Sequence, residues 1–390
     1  MKYMKNRKKL YLIIFIFVAL ATIAFLNLRN RASENKISEP LPTSAVSAIE
    51  TDFPIDYMES NKDQVQVVVP RVYELLNIVE SITESGLQGK YNLNYNSDYY
   101  KEVIIHFKPY KDHPVVAEYE KVRNEYSYST LRRVFTYEFE YNKIVKGEIY
   151  KHKESDKAKA FIKLLTDFAQ KSNFNDFYDR HQDYYLQKIK QFKNYTDLKK
   201  IWQWLEKNYP DRYDSYKVVL SPLVFGSHNT TTYVDKEDQF HEIIMFVSPV
   251  ELFTRHNYEN EALIYSLTER MVFTEIDHNY VNVVTDREEN MRKILEVFGD
   301  LDKWNRQNGY GRSDITFNEY MTWATACLYV YDYYPKEVYD QFIKYTTDTM
   351  RARGFVKFEE FYNELLELYK TKEEPIYKLY PDILKKAEEI

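Results

Sequence analysis

The residues most able to do chemistry lie in one short segment of the second half of the chain. Glu275, Asp277 and His278 fall within four positions of one another, and Thr274 precedes them. Compared with the zinc-peptidase motif His-Glu-x-x-His, the segment has the general-base Glu275 and the second histidine, but Thr274 stands where the first histidine belongs. That motif binds zinc because two imidazoles four residues apart share one face of a helix. The sequence therefore predicts a site of this class that lacks one ligand.

Helical periodicity places the segment on an inward face. From Glu259 to Val284, apolar and site residues recur at intervals of three and four, as on the buried face of a helix. This face comprises Ile264, Leu267, Met271, Thr274, His278 and Val281. One interpretation is that Glu275 and His278 jointly hold a metal or a water molecule. The alternative is that His278 is a structural core histidine. Glu275 would then pair with an arginine such as Arg270 or Arg287.

The neighbouring elements favour the functional interpretation. A strand is predicted at Phe240 to Val247, directly before this helix, and helices of zinc peptidases follow an edge strand that pairs with the substrate. A second acid, Glu319, lies on a later helix. His228, in a turn after a strand, and His181, on a helix, are candidates for the missing ligand, although isolated histidines more often have a structural role.

Composition limits the classes of function. The chain has 390 residues, 17% aromatic residues including 38 Tyr and 23 Phe, only 8 Gly, and a net charge of -6. These values indicate a compact, helix-rich protein and argue against a Gly-rich phosphate-binding fold. Acidic and basic residues are intermixed, so no basic surface for nucleic acid is predicted. The single cysteine, Cys327, excludes an intramolecular disulfide and any Cys-based zinc site.

The N-terminus predicts export. Residues 1–9 form a basic segment, and residues 10–28 form an uncharged run of nineteen residues. A helix of this length measures roughly 28 Å, close to the thickness of the hydrocarbon core. The excess of cations before it predicts a single-pass signal anchor with the body outside the cytoplasm. The alternative is a cleaved signal near Ala19-Leu20-Ala21, which would give a secreted or periplasmic protein.

The remaining chain is predicted to be an α+β protein. Residues 29–62 form a Pro- and Ser-containing tether, residues 63–150 a mixed α/β part, and residues 151–390 a helical part with a small sheet. The predicted strands are Gln64–Val69, Val103–Phe107, Val134–Tyr141, Lys217–Phe225 and Phe240–Val247. The predicted helices in the second part include Asn175–Phe192, Glu259–Val284 and Thr316–Tyr333.

From Gln64 to Tyr333 the chain resembles an uncharacterised family of bacterial exported proteins, which is known only as a domain of unknown function. The resemblance is carried by Ser221-Pro222-Leu223, Gly226-Ser227-His228, Glu269 to Asn282 and Glu319-Tyr320. Some members have a complete His-Glu-x-x-His at the position of Thr274 to His278, which is similar to gluzincin-like zinc metallopeptidases.

The resemblance implies a metallopeptidase-like body and roles for three residues. Glu275 would be the catalytic general base, and His278 and Glu319 would be ligands of zinc. Thr274 departs from the pattern, since a neutral hydroxyl is a poor zinc ligand.

Two functions follow. The first is a membrane-tethered, zinc-dependent peptide hydrolase with a degenerate site. The second is a catalytically silent binding module for peptide or glycan in the cell envelope.

The predicted topology can be tested with proteases. In intact spheroplasts we expect an added protease to degrade the body of the protein, residues 30–390, because the cation excess before the apolar run directs translocation. A protected body would contradict this topology, and a mature protein beginning near Thr22 would replace the anchor with a cleaved signal.

Overall fold

A computed structural model describes residues 48–125, 128–151, 155–250, 260–307 and 310–390. The predicted transmembrane segment, residues 10–28, and the first part of the tether lie outside these ranges. None of the described helices combines the length and the apolar character that crossing a bilayer requires. The described part is a helix-rich α+β fold with two small sheets, as the sequence predicts.

The larger sheet has five strands in the order β1-β6-β7-β5-β2. Strands β1 and β6, β7 and β5, and β5 and β2 are parallel, whereas β6 and β7 are antiparallel. The five strands are β1 (Ile49–Thr51), β2 (Gln64–Val68), β5 (Ser215–Leu220), β6 (Asn229–Asp235) and β7 (His241–Val247). Because β7 is hydrogen-bonded on both sides, it offers no free edge to a peptide. The sequence-based comparison with a substrate-pairing edge strand is therefore wrong for this strand.

The second sheet is a hairpin of β3 (Tyr137–Glu140) and β4 (Lys143–Lys146). Helices surround both sheets. In the first half they are α1 (Ile55–Asn61), α2 (Arg71–Ile82), α3 (Glu84–Leu87), α4 (Asp98–Phe107), α5 (Pro114–Glu125), α6 (Tyr128–Leu131), α7 (Asp156–Lys171), α8 (Phe174–Arg180), α9 (Gln182–Asn194) and α10 (Leu198–Asn208). In the second half they are α11 (Glu261–Thr285), α12 (Glu288–Val297), α13 (Leu301–Trp304), α14 (Ser313–Tyr333), α15 (Lys336–Ala352), α16 (Phe358–Lys372) and α17 (Tyr380–Glu389). Short 3-10 helices lie at Lys108–Tyr110, Arg132–Thr136 and Ile376–Lys378.

Several sequence-based assignments differ from the structure, and two of the differences change how a whole segment is described. The run Val103–Phe107, predicted as a strand, belongs to helix α4, which the Ser97 side chain caps by accepting a hydrogen bond from the Tyr100 amide. Tyr99, Val103 and Phe107 recur every four residues and are all buried, so the helical period outweighs the β propensity of the branched residues.

The second difference concerns the predicted tether. Its last part forms β1 and α1, and β1 pairs with β6. Phe53 is buried there and stacks on Tyr57 with ring centroids 5.6 Å apart. These aromatic contacts give the segment enough apolar surface to bury, which its Pro and Ser content alone did not suggest. The larger sheet thus contains strands from both sides of residue 150.

Candidate functional site

Helix α11 carries the predicted site. The Asn260 side chain caps it by accepting a hydrogen bond from the Ala262 amide at 3.0 Å. The helix packs against β6 and β7 and against α14 and α15, and most of its residues are buried. A helix enclosed on most sides belongs to the core. Its acidic and basic side chains are therefore held in a partly desolvated environment.

A chain of charged groups joins α11, α14 and the end of α15. The His278 Nε2 atom lies 3.5 Å from Glu319 Oε1, and Glu319 Oε2 accepts a hydrogen bond of 2.7 Å from an Arg353 guanidinium nitrogen. The side chains of His278, Glu319 and Arg353 are 22%, 12% and 28% exposed. One carboxylate thus lies between two cations, at a place that solvent can still reach.

Arg353 depends on the turn that follows α15. Gly354 has φ +89°, and a Cβ atom there would come 2.8 Å from Gln307 Cγ, so the turn requires glycine. The Arg353 guanidinium carbon lies 4.6 Å from the centroid of the Trp323 ring, and its Nη2 atom donates a hydrogen bond to the Tyr310 hydroxyl. Stacking and hydrogen bonding together fix the orientation of the guanidinium.

The ion pair changes the pKa of both partners. Burial alone would lower the pKa of His278, but the hydrogen bond to Glu319 and the charges of Glu319 and Glu275 raise it to about 9. Burial alone would raise the pKa of Glu319. The hydrogen bond from His278 and the charge of Arg353 outweigh burial and lower it to about 2. At neutral pH the pair is therefore an imidazolium and a carboxylate.

Glu275 differs from Glu319. Burial raises the pKa of Glu275 to about 7; the charge of His278 lowers it, and the charge of Glu319 adds to the increase. The more distant cations Arg132 and Arg353 oppose this increase. Two carboxyl groups beside one imidazolium thus titrate in separate pH ranges, an arrangement that is common in functional sites.

His228 and two further arginines belong to the same region. The His228 Nε2 atom lies 3.1 Å from Ser248 Oγ. Burial, together with the positive charges of Arg132, Arg270 and Arg353, lowers the pKa of His228 to about 3, so its ring is neutral. The three guanidinium groups thus lie close enough to act on His228, and the charges of Arg132 and Arg353 act on Glu275 as well. We call this region, formed by Arg132, His228, Arg270, Glu275, His278, Glu319 and Arg353, the arginine-lined site.

The residues present do not fit the zinc that the resemblance implies. His278 Nε2 carries a proton at neutral pH, and one oxygen of Glu319 is held by Arg353. The Thr274 hydroxyl donates a hydrogen bond to the Met271 carbonyl at 3.3 Å. Within the described ranges, no three His, Cys, Asp or Glu side chains converge as metal ligands would. A catalytic zinc usually has three protein ligands.

Of the three site residues that the sequence predicts, the structure pairs His278 with Glu319 at 3.5 Å, and Glu275 is near enough for its charge to act on the pKa of His278. Their roles as base and ligands stay predictions. His181 lies elsewhere: its ring nitrogens face the Phe177 carbonyl at 2.7 Å and Glu102 at 3.0 Å.

Sequence reasoning missed Arg132 and Arg353 of the arginine-lined site. Arg270, which it named as a candidate partner of Glu275, stacks on Trp323, with its guanidinium carbon 4.5 Å from the ring centroid. Arg353 lies 75 positions beyond His278 in no recognisable motif, so only the tertiary fold reveals it.

Fold and site together define a helix-rich α+β protein in which a His-Glu-Arg ion-pair chain adjoins a glutamate with a raised pKa. The chain belongs to the DUF4932 family, described as a domain of unknown function, whose sequence profile matches residues 69–386. Comparisons with curated proteins and with solved structures each found no significant match.

The ion pair can be tested by following the His278 imidazole through a pH titration by NMR. We expect a midpoint near pH 9 in the unmodified protein and a decrease by about two units in Glu319→Gln, because the carboxylate is the main group that raises it. Glu337→Gln, exposed at the start of α15, is the matched control and should leave the midpoint unchanged. A midpoint near 6.5 in the unmodified protein would contradict the pairing.

The free energy of unfolding should depend on pH through the titrations of His278 and Glu319. A His pKa raised from 6.5 to about 9 by folding stabilises the fold fully below pH 6.5, and this contribution is lost as the pH rises through 9. A Glu pKa lowered from 4.5 to about 2 stabilises it above pH 4.5, and this contribution is lost as the pH falls through 2. We therefore expect Glu319→Gln to lower the free energy of unfolding by about 2 kcal/mol near pH 6. The difference should shrink above pH 9.

Proposed function

We propose that this protein is a membrane-tethered envelope protein whose arginine-lined site binds a peptide through a carboxylate. The observation that supports this most is the Glu319 carboxylate, which is shared by His278 and Arg353. Because Glu319 contacts both His278 and Arg353, it orients these two cations. In this proposal the protein keeps a metallopeptidase-like arrangement of residues but uses it to bind a ligand and not to catalyse hydrolysis.

The charge of the site favours an anionic ligand. Its cations are Arg132, Arg270, Arg353 and His278, and its acids are Glu319 and Glu275. Positive charge therefore exceeds negative charge among these groups even when Glu275 is ionised, and partial protonation of Glu275 at neutral pH increases the excess. A partly desolvated excess of positive charge attracts carboxylates. A neutral glycan has no charge to match it, so a peptide is the better candidate of the two envelope ligands.

The location of the ligand follows from the N-terminal sequence. An apolar run at residues 10–28 after five cations supports a body held outside the cytoplasm, where envelope peptides are present.

Binding of trialanine and of its C-terminal amide to the soluble body tests the proposal by calorimetry. We expect the free acid to bind about tenfold more tightly than the amide, because a charge-assisted hydrogen bond contributes about 1.5–3 kcal/mol. Arg353→Gln should remove this preference. Arg351→Gln, two positions away and exposed, where it pairs with Asp348 and Glu359, should keep it. Equal affinity for acid and amide would contradict the proposal, as would binding that requires added zinc.

A zinc-dependent peptide hydrolase is the second candidate. It is favoured by the 3.5 Å separation of His278 Nε2 from Glu319 Oε1 with the carboxyl of Glu275 nearby. The candidate lacks a zinc ligand at position 274, where Thr274 stands in place of histidine. Thr274 is buried one turn before His278 on the same face of α11.

Thr274→His tests this candidate by dialysis and elemental analysis. The variant supplies the absent imidazole, so we expect zinc affinity to rise at least tenfold over the unmodified chain, provided that the buried position accommodates the larger side chain. The affinity should increase further towards pH 9, because zinc must displace the His278 proton. Thr268→His, on the same helix and buried, is a control for a histidine placed away from the pair. Stoichiometric zinc in the unmodified chain would favour the hydrolase, and no gain in Thr274→His would reject it.

A further inference from the structure

A separate cavity of about 480 Å³ lies between the end of β2, the hairpin strand β3 and strand β5, the neighbour of β2 in the larger sheet. None of its lining residues belongs to the arginine-lined site. The volume falls within the range of small-molecule sites. Lys217 and Tyr150 are among its polar lining residues.

Lys217 is a cation in the interior of the sheet. Its ammonium donates hydrogen bonds to the hydroxyls of Tyr57, at 2.7 Å, and Tyr150. Both hydroxyls in turn donate to the fully buried Glu242 carboxylate, at 2.9 Å and 2.6 Å. The lysine side chain is 8% exposed. The tyrosines therefore connect a buried cation to a buried anion instead of leaving either one without hydrogen bonds.

The ammonium has one donor more than this network uses. It carries three N–H groups, and the two hydroxyls accept two of them. The nearest Glu242 oxygen lies 4.0 Å from the nitrogen, which is too far for a third hydrogen bond. Because Lys217 lines the cavity, we infer that its third N–H group is directed into it.

The walls of the cavity are mainly apolar. They include Val68, Pro70, Phe135, Phe139 and Ile149. Arg71 lines the cavity as well, and Asp179 and Asn175 hold its guanidinium. Glu138 is an exposed acid among the lining residues. A buried ammonium beneath aromatic and branched walls matches a molecule that has one anionic oxygen group and an apolar body.

We propose that this cavity binds a small carboxylic acid with an aromatic or branched apolar body, whose carboxylate accepts a hydrogen bond from Lys217. The site is independent of the arginine-lined site, since the two share no residue. Burial lowers the pKa of Lys217, and the charges of Glu242 and Glu138 oppose this effect. The negative charge of a bound carboxylate would likewise oppose the decrease in the pKa of Lys217.

Calorimetry with phenylacetate, 3-methylbutyrate and phenylacetamide, each up to about 5 mM, tests the assignment. We expect at least one of the two acids to bind and phenylacetamide to bind about tenfold more weakly, since it lacks the charge that Lys217 would pair with. An amide that binds as tightly as the acids would overturn the carboxylate assignment. No binding of either acid would overturn the site.

Two variants locate the binding. Lys217→Met should reduce acid binding at least tenfold. Because this change leaves Glu242 without its cation and endangers folding, Ile149→Trp provides a second test by filling the cavity from a partly buried wall position. Leu186→Trp, at a 59% exposed position on α9, is the matched control and should bind as the unmodified protein does. Acid binding that persists in folded Ile149→Trp would overturn the location, whatever the outcome for trialanine at the arginine-lined site.

Discussion

The arrangement of the second half of the chain depends on one shared carboxylate. Glu319 takes a proton-bearing imidazole on one oxygen and a guanidinium on the other, and so joins α11, α14 and the turn after α15. Removing a single partner from such a group leaves a partly buried charge, which costs far more than the loss of a surface ion pair. The Gly354 turn and the Trp323 ring support the same contact, because they restrict the orientation of the Arg353 guanidinium.

The abundance of tyrosine has a related physical reason. Several glutamates are buried in the described part of the chain, and tyrosine hydroxyls hydrogen-bond to them. The pairs are Glu74 with Tyr99, Glu242 with Tyr57 and Tyr150, and Glu269 with Tyr329 and Tyr334. A phenol adds a large apolar surface to the core and one donor to a carboxylate, so it stabilises both at once. Much of the aromatic content thus belongs to the core, which weakens composition as an argument for a sugar-binding surface.

The arginine-lined site combines groups with different states at neutral pH. His278 is charged, His228 is neutral, Glu319 is ionised, and Glu275 lies near its midpoint. These states follow from burial and from the neighbouring cations together. A protonated Glu275 can donate a hydrogen bond to a ligand carbonyl, and an ionised Glu275 can accept one from an amide. The peptide recognition that we propose uses these protonation states and requires no metal ion.

The sequence by itself determined the helix-rich α+β class and the long helix around Glu275 and His278. Those predictions succeeded because helical period and local motif spacing are properties of neighbouring residues. Strand β6, the burial of β7 inside the sheet and the helical state of Val103–Phe107 were decided by tertiary packing, which overrides β propensity. The role of Arg353 and the hydrogen-bond network around Lys217 likewise could not be predicted from local sequence patterns. Arg353 lies 34 positions from Glu319, and Lys217 lies 67 and 160 positions from Tyr150 and Tyr57, so only the folded chain brings these groups within hydrogen-bonding distance.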